Sequence, residues 1–284
     1  MLEQYTWEPY GNLILKDTLA SQAPDTRLGH QGLFFYPFDG DAGYLKEQLV
    51  ALEGFLRGET GEEWGPDKRI LTDISEAKKT GMELDKARSQ GNADPESTFN
   101  LLISFSDLEG DPAAFRKKVG RLLNGKEIRE TPEKYGGKQQ KRRGEPQGGV
   151  DSPRIALIGV PPIYRDFHRT CADAGLHVVF DELPYEFLRL VGRNIDELAR
   201  SYSTYTFARP VDFRLKFLKR ELNKRRIDGI VHYTQFTCHH ILEDGLFRQE
   251  LDWPMLTVQG DLPGGTPAQI RLRLEALGEL LGSK

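Results

Sequence analysis

The sequence predicts an α/β protein. Its C-terminal half should be a four-stranded parallel domain of flavodoxin or Rossmann type, preceded by a mainly helical region and a remnant of a first α/β domain. Three observations predict this. Apolar runs of strand length recur at 154–160, 177–180, 230–235 and 254–258. The first, Arg154-Ile155-Ala156-Leu157-Ile158-Gly159-Val160, is unbroken, as in a strand buried on both faces. Helix-compatible segments separate the runs, and strands alternating with helices wind into a parallel sheet with right-handed crossovers.

In chain order, Leu33-Phe34-Phe35-Tyr36-Pro37 reads as one buried strand. Tyr44 to Leu56 reads as a helix, because Leu45, Leu49, Leu52 and Leu56 recur in register. Polar helices are expected at 66–89 and 94–106, the second opened by Asp94-Pro95, and Asp111-Pro112 opens another to Leu123. Residues 131–149, from Thr131-Pro132 to Gly148-Gly149, contain almost no apolar side chains and cannot join a core. The expected organisation is 1–130 as a truncated first domain and helical segment, 131–153 as a flexible linker, and 154–284 as the Rossmann-like domain.

Pro161-Pro162 ends the first strand. A helix is expected over 163–174, with Gly175 suited to its C-terminal position. His177-Val178-Val179-Phe180 is the second strand, followed by Asp181-Glu182-Leu183-Pro184. Helices follow at 194–204 and 211–226, the latter amphipathic through Val211, Leu215, Leu218 and Leu222. Asp228-Gly229 turns into the third strand. A helix is expected directly after Cys238, and the fourth strand lies at 254–258. Gly260-Asp261-Leu262-Pro263-Gly264-Gly265 is a loop, with Thr266 as the cap and Pro267 as the first residue of a helix to Leu281.

Composition narrows the function classes. The chain has 284 residues, 38% of them hydrophobic, and a formal charge of -4. A general nucleic-acid binder would be basic, so no nucleic-acid partner is expected. No stretch reaches the roughly 18 apolar residues that span a bilayer, and Met1 to Pro9 lacks the pattern of a secretory signal. Two widely separated cysteines make no disulfide framework. These features lead to the expectation of a cytoplasmic protein with free thiols and no membrane contact.

The stretch richest in chemistry is Thr234-Gln235-Phe236-Thr237-Cys238-His239-His240. It stands at a strand-to-helix turn, where α/β proteins hold ligands at the carboxyl edge of the sheet. Cys238 is a candidate ligand or active-site thiol there, its thiolate favoured by a helix start; otherwise it is a small buried hydrophobe. His239 and His240 are adjacent and cannot face the same way in a helix, so one of them could serve the site. Gln235 could present its amide at the strand end. Pro161 and Pro162 shape the neighbouring loop, and Asp261 follows the last strand. Zinc at Cys238 and one His lacks further ligands at useful spacing. The phosphate-cradling Gly-x-Gly-x-x-Gly is absent after the first strand, where Gly159-Val160-Pro161-Pro162 stands.

The segments 154–163, 228–238 and 260–265 with the helix 269–276, together with the helical stretch 44–124, resemble the D-component family of 2-hydroxyacyl-CoA dehydratases, which includes the benzoyl-CoA reductase B and C subunits. Glu182-Leu183-Pro184 and Gly260-Asp261-Leu262-Pro263-Gly264 are similar to the benzoyl-CoA reductase branch. The resemblance implies two α/β domains per subunit and a 4Fe-4S cluster held by three cysteines, of which Cys238 matches one. It also implies one-electron reduction of an acyl-CoA thioester and an ATP-dependent activator as electron donor. A homologous second subunit is expected as partner. The substrate-side residues would be Pro161, Pro162, Gln235, His239 and Asp261.

The other two cysteine ligands would lie in the first α/β domain, yet residues 1–40 contain no cysteine. Cys171 falls mid-helix and reads as a buried structural thiol. Three explanations stay open: a start upstream of Met1, ligands from a partner chain, or a subunit that has lost its cluster. The last would make the chain a non-catalytic partner. A small-molecule binding module on a flavodoxin-like fold is a further reading.

Overall fold

The computed structural model describes residues 38–61, 68–124 and 152–283. The strand expected at 33–37 and the linker core at 131–149 lie outside them. Among the described residues there are ten α-helices and four strands. In order these are α1 (Ala42–Thr60), α2 (Lys68–Ser89), α3 (Pro95–Ile103), α4 (Pro112–Leu123), β1 (Arg154–Gly159), α5 (Phe167–Asp173), β2 (His177–Asp181), α6 (Glu182–Arg189), α7 (Ile195–Tyr202), α8 (Val211–Lys224), β3 (Gly229–Gln235), α9 (Asp244–Glu250), β4 (Met255–Gly260) and α10 (Ala268–Gly282). No helix among them is long and apolar enough to cross a membrane.

The chain divides into two compact units. One contains the described residues up to Ser75 together with Leu190–Arg214. There α1 starts at Asp41, whose carboxylate accepts the amides of Gly43 and Tyr44 and so satisfies donors the helix leaves free. Lys46 of α1 pairs with Asp196 of α7 at 2.7 Å. Arg209 stacks on Phe213, 4.2 Å from the ring centre, and donates to the Ser203 carbonyl.

The second unit, Glu76–Arg189 with Leu215–Lys284, holds the sheet. All four strands are parallel, in the order β2-β1-β3-β4. β1, β2 and β3 are buried almost throughout, whereas β4, at one edge, is only partly buried. On one face Ile155, Leu157, Val231 and Val258 meet Phe167 of α5 and Leu274 of α10. On the other, Phe247 of α9 stands edge-on to His232 at 5.2 Å.

The helix starts at Asp94-Pro95 and Asp111-Pro112 form as expected. Asp94 accepts the Ser97 amide and Asp111 the Ala114 amide, and each proline occupies a position whose N–H would have no partner. Gly175 follows α5 at φ 72°, the left-handed conformation that ends helices.

Four details differ from the sequence expectation. α5 begins at Phe167 rather than 163, because the chain after Pro161-Pro162 first bridges Tyr164 to Gly264 beyond β4. α6 follows β2 without a loop: Pro184 is its third residue, within the first turn where a missing N–H costs nothing. Cys238 is followed by a 3-10 turn, His239–Glu243, and α-helix starts only at Asp244. Thr266 does not cap α10, whose cap position is Pro267; its hydroxyl and amide both donate to Asp166.

A buried charged cluster joins α2 to the sheet. Arg88 donates to Asp181 at the end of β2 and, at 2.6 Å, to Asp85. Arg225 donates to Asp85 and to the Val179 carbonyl and lies over Phe180 and Tyr185. His168 Nε2 is 2.9 Å from Asp181 Oδ1, and its ring stacks on Phe99. Burial pushes the Asp181 carboxyl up, but His168 and Arg88 outweigh it and hold the group below its ordinary range.

Candidate functional site at the carboxyl edge of the sheet

In this strand order the chain leaves β1 toward β2 on one side and β3 toward β4 on the other. The reversal lies between the carboxyl ends of β1 and β3, where ligands bind in open α/β sheets. Pro161 and Pro162 follow β1, Gln235 ends β3, Cys238 and His239 follow it, and Asp261 follows β4. The topology therefore gathers the sequence-predicted residues on the carboxyl ends of three adjacent strands.

Backbone hydrogen bonds build this edge. The Phe236 amide donates to Gly260 O over 2.8 Å, joining the ends of β3 and β4. The Cys238 amide donates to Gln235 O over 2.9 Å, closing a turn. Within that turn Thr237 has φ 67°, a conformation unusual for a β-branched residue. Val160 N donates to Tyr233 O, tying the loop after β1 to β3.

Two tyrosines that sequence reasoning missed support these loops. Tyr233 Oη accepts the Ile163 amide at 3.1 Å, just after Pro161-Pro162. Tyr164 Oη accepts the Asp261 amide at 3.3 Å. Burial pushes the Tyr233 phenol up to about 12, so it stays protonated. Asp166 fastens the loop after β4 by accepting from Thr266 and Arg271. Its burial raises the carboxyl, but those donors bring it below the ordinary range.

A third missed feature is the constellation at His232. Its Nδ1 is 2.7 Å from Asp244 Oδ1, which also accepts the Thr257 hydroxyl at 2.5 Å. Arg248 Nε donates to the other Asp244 oxygen. Burial raises the Asp244 carboxyl, and these partners more than offset it. The signal was in the sequence: a histidine inside Ile230-Val231-His232-Tyr233 needs a buried partner, and an acid lies one connection downstream.

The predicted residues differ in exposure. Pro161, Pro162, Gln235 and Cys238 are half-buried, whereas His239 and Asp261 are exposed. His240 is buried, with Nδ1 2.9 Å from Glu243 Oε2. The His239 and His240 rings lie 4.3 Å apart, in the 3-10 turn that stands where an α-helix was expected. Beside Pro161 a crevice between Phe99, Asp181 and Glu182 is too narrow to admit a water molecule, far short of the roughly 300 Å³ or more of a typical ligand pocket. The segments that follow β3 and β4 also carry exposed apolar side chains. Phe236 is 67%, Leu242 81% and Leu262 72% exposed.

A family model described as 2-hydroxyglutaryl-CoA dehydratase, D-component, matches residues 21–281. The chain belongs to this family. No curated protein gives a match. Family membership makes the chain a component of 2-hydroxyacyl-CoA dehydratase-type systems.

The residues at this edge do not fit the 4Fe-4S cluster that the sequence resemblance implied. Such clusters are held by several thiolates, and Cys238 is the one cysteine at the edge. Cys171 is fully enclosed in the sheet core. Burial, with the charge of Asp181, pushes its thiol far up, away from the thiolate form.

Proposed function

We propose that the chain is a docking component of a 2-hydroxyacyl-CoA dehydratase-type assembly, working through the carboxyl edge of its sheet against a homologous, cysteine-bearing subunit. The substrate class of the assembly is an acyl-CoA thioester, and its electrons come from an ATP-dependent activator. The chain's own part is to shape and cover the shared site with the Pro161-Pro162, Gln235–Cys238 and Asp261 loops.

The observation that carries this reading is this set of exposed apolar side chains. Phe236, Leu242 and Leu262 stand exposed around loops that are held in place by Tyr164, Tyr233 and Asp166. Single exposed apolar side chains are ordinary, but a group on one functional edge marks an interaction surface. Covering it would also remove water from around Cys238 and Gln235.

The test is co-expression of the tagged chain with a family homologue that carries three cysteines. The wild type should retain the homologue through purification. Phe236→Asp together with Leu242→Asp should weaken retention by about tenfold or more, as loss of an interface anchor does. Equal retention by the wild type and the double variant would remove these side chains from the proposal.

A second reading keeps Cys238 in the chemistry. Its thiol is half-buried and in no disulfide, at the end of the turn that contains Thr237, so it could contribute one ligand to a cluster completed by the partner. Cys238→Ser in the co-purified complex separates the two readings. Unchanged cluster content supports pure docking, and a loss confined to this variant supports the shared ligand.

A further inference from the structure

We infer that residues 1–284 do not hold a 4Fe-4S cluster by themselves, and that any cluster at this edge takes its remaining thiolates from outside these residues. This deepens the component reading above and rests on it.

The argument begins with the count of thiols. The chain has two cysteines. Soft iron–sulfur clusters need thiolates, so both would have to serve, with further ligands of another kind. Cys171 cannot serve without dismantling the core. It sits on α5 with zero exposure, in the same buried cluster as Phe167, Leu176, Tyr233 and Leu274. It faces the interior of the sheet layer, whereas Cys238 stands in the loop beyond the carboxyl end of β3.

Nitrogen and oxygen donors do not replace the missing thiolates. Among the described residues no group of three or more His, Cys, Asp and Glu side chains is placed to hold a metal ion. Three of the other donor side chains in this unit have commitments of their own. His240 faces Glu243, His232 faces Asp244, and Asp166 is bound to Thr266 and Arg271. One thiolate remains, and a cluster tethered at a single iron would be exchanged away by small thiols.

The test uses the full chain, purified alone and incubated anaerobically with ferrous iron, sulfide and dithiothreitol, then desalted. Expected are iron and sulfide at background and no broad visible absorption, identical for wild type and Cys238→Ser. A stoichiometric cluster on the wild-type chain, lost in Cys238→Ser, would overturn the inference. Circular dichroism of both proteins guards against a misfolded sample. The co-expression with the cysteine-bearing homologue is run in parallel. Failure to retain that homologue removes the component reading and leaves the cluster result standing. A clustered lone chain that still retains the homologue does the reverse.

Discussion

Arg225, directly after α8, donates to Asp85 on α2 over 2.6 Å, and both side chains are buried. The pair joins residues far apart in sequence within one compact unit and fixes the end of α2 against the sheet. Removing Arg225 leaves the buried Asp85 carboxylate to Arg88, which it shares with Asp181. Arg225→Met should therefore destabilise the protein by about 3–5 kcal/mol, read as a shift in the denaturant midpoint. A loss below about 1 kcal/mol would show that water or Arg88 takes over the Asp85 carboxylate.

His177, at the start of β2, gives the stability a pH dependence. Burial, aided by the charges of Arg154 and Arg88, holds its imidazole down at about 4 against an ordinary 6.5, with the Arg88 backbone acting weakly the other way. Between those values the unfolded chain binds a proton that the folded chain refuses, so stability rises with pH. The contribution is complete above 6.5 and is lost as pH falls toward 4. Acidification across that window should cost on the order of 2 kcal/mol after allowing for screening. His177→Gln should flatten this part of the curve, and an unchanged slope would rule the residue out as its source.

Gly260 ends β4 directly against Tyr233. A methyl group at Gly260 would meet the Tyr233 hydroxyl at 2.2 Å. Gly260→Ala should cost about 1–3 kcal/mol by overpacking. Tyr233→Phe alone should cost about 1 kcal/mol, because the Ile163 amide loses its acceptor. In the double variant the two costs should sum to less than their total, since the hydroxyl is the atom in the way. Strict additivity by thermal unfolding would refute this contact.

Thr237 carries a left-handed backbone in the turn that presents Cys238. A branched side chain is disfavoured there by about 1–2 kcal/mol. Thr237→Gly should stabilise the fold by about 0.5–1 kcal/mol, the remainder being offset by the entropy of glycine in the unfolded chain. The same variant should make Cys238 react faster with a thiol reagent, because the turn is less constrained. A destabilised variant would mean that the Thr237 side chain makes a compensating contact.

Local chemistry made most of the elements legible in advance. Asp94-Pro95 and Asp111-Pro112 satisfy helix donors within three residues, and Gly175 ends α5 through its own backbone freedom. The continuous apolar runs of β1 and β3 follow from burial on both faces. The candidate residues were legible for the same reason, since each lies next to a strand end that hydrophobic patterning locates. The sequence reading places no helix over Glu182–Arg189; only the structure shows Pro184 in the first turn of α6, where a missing N–H costs nothing.

What the sequence alone determined is the class of fold, the strand ends, and the number of thiols available to any cofactor. These depend on neighbours in the chain or on simple counting. Only the tertiary structure decided which strand ends are adjacent, that Tyr164 and Tyr233 prop the loops, that His232 turns to Asp244, and that Cys171 is enclosed while Cys238 stands at the edge. The physical reason is that strand order and side-chain burial arise from contacts between segments dozens of residues apart, where local propensity carries no information about the partner.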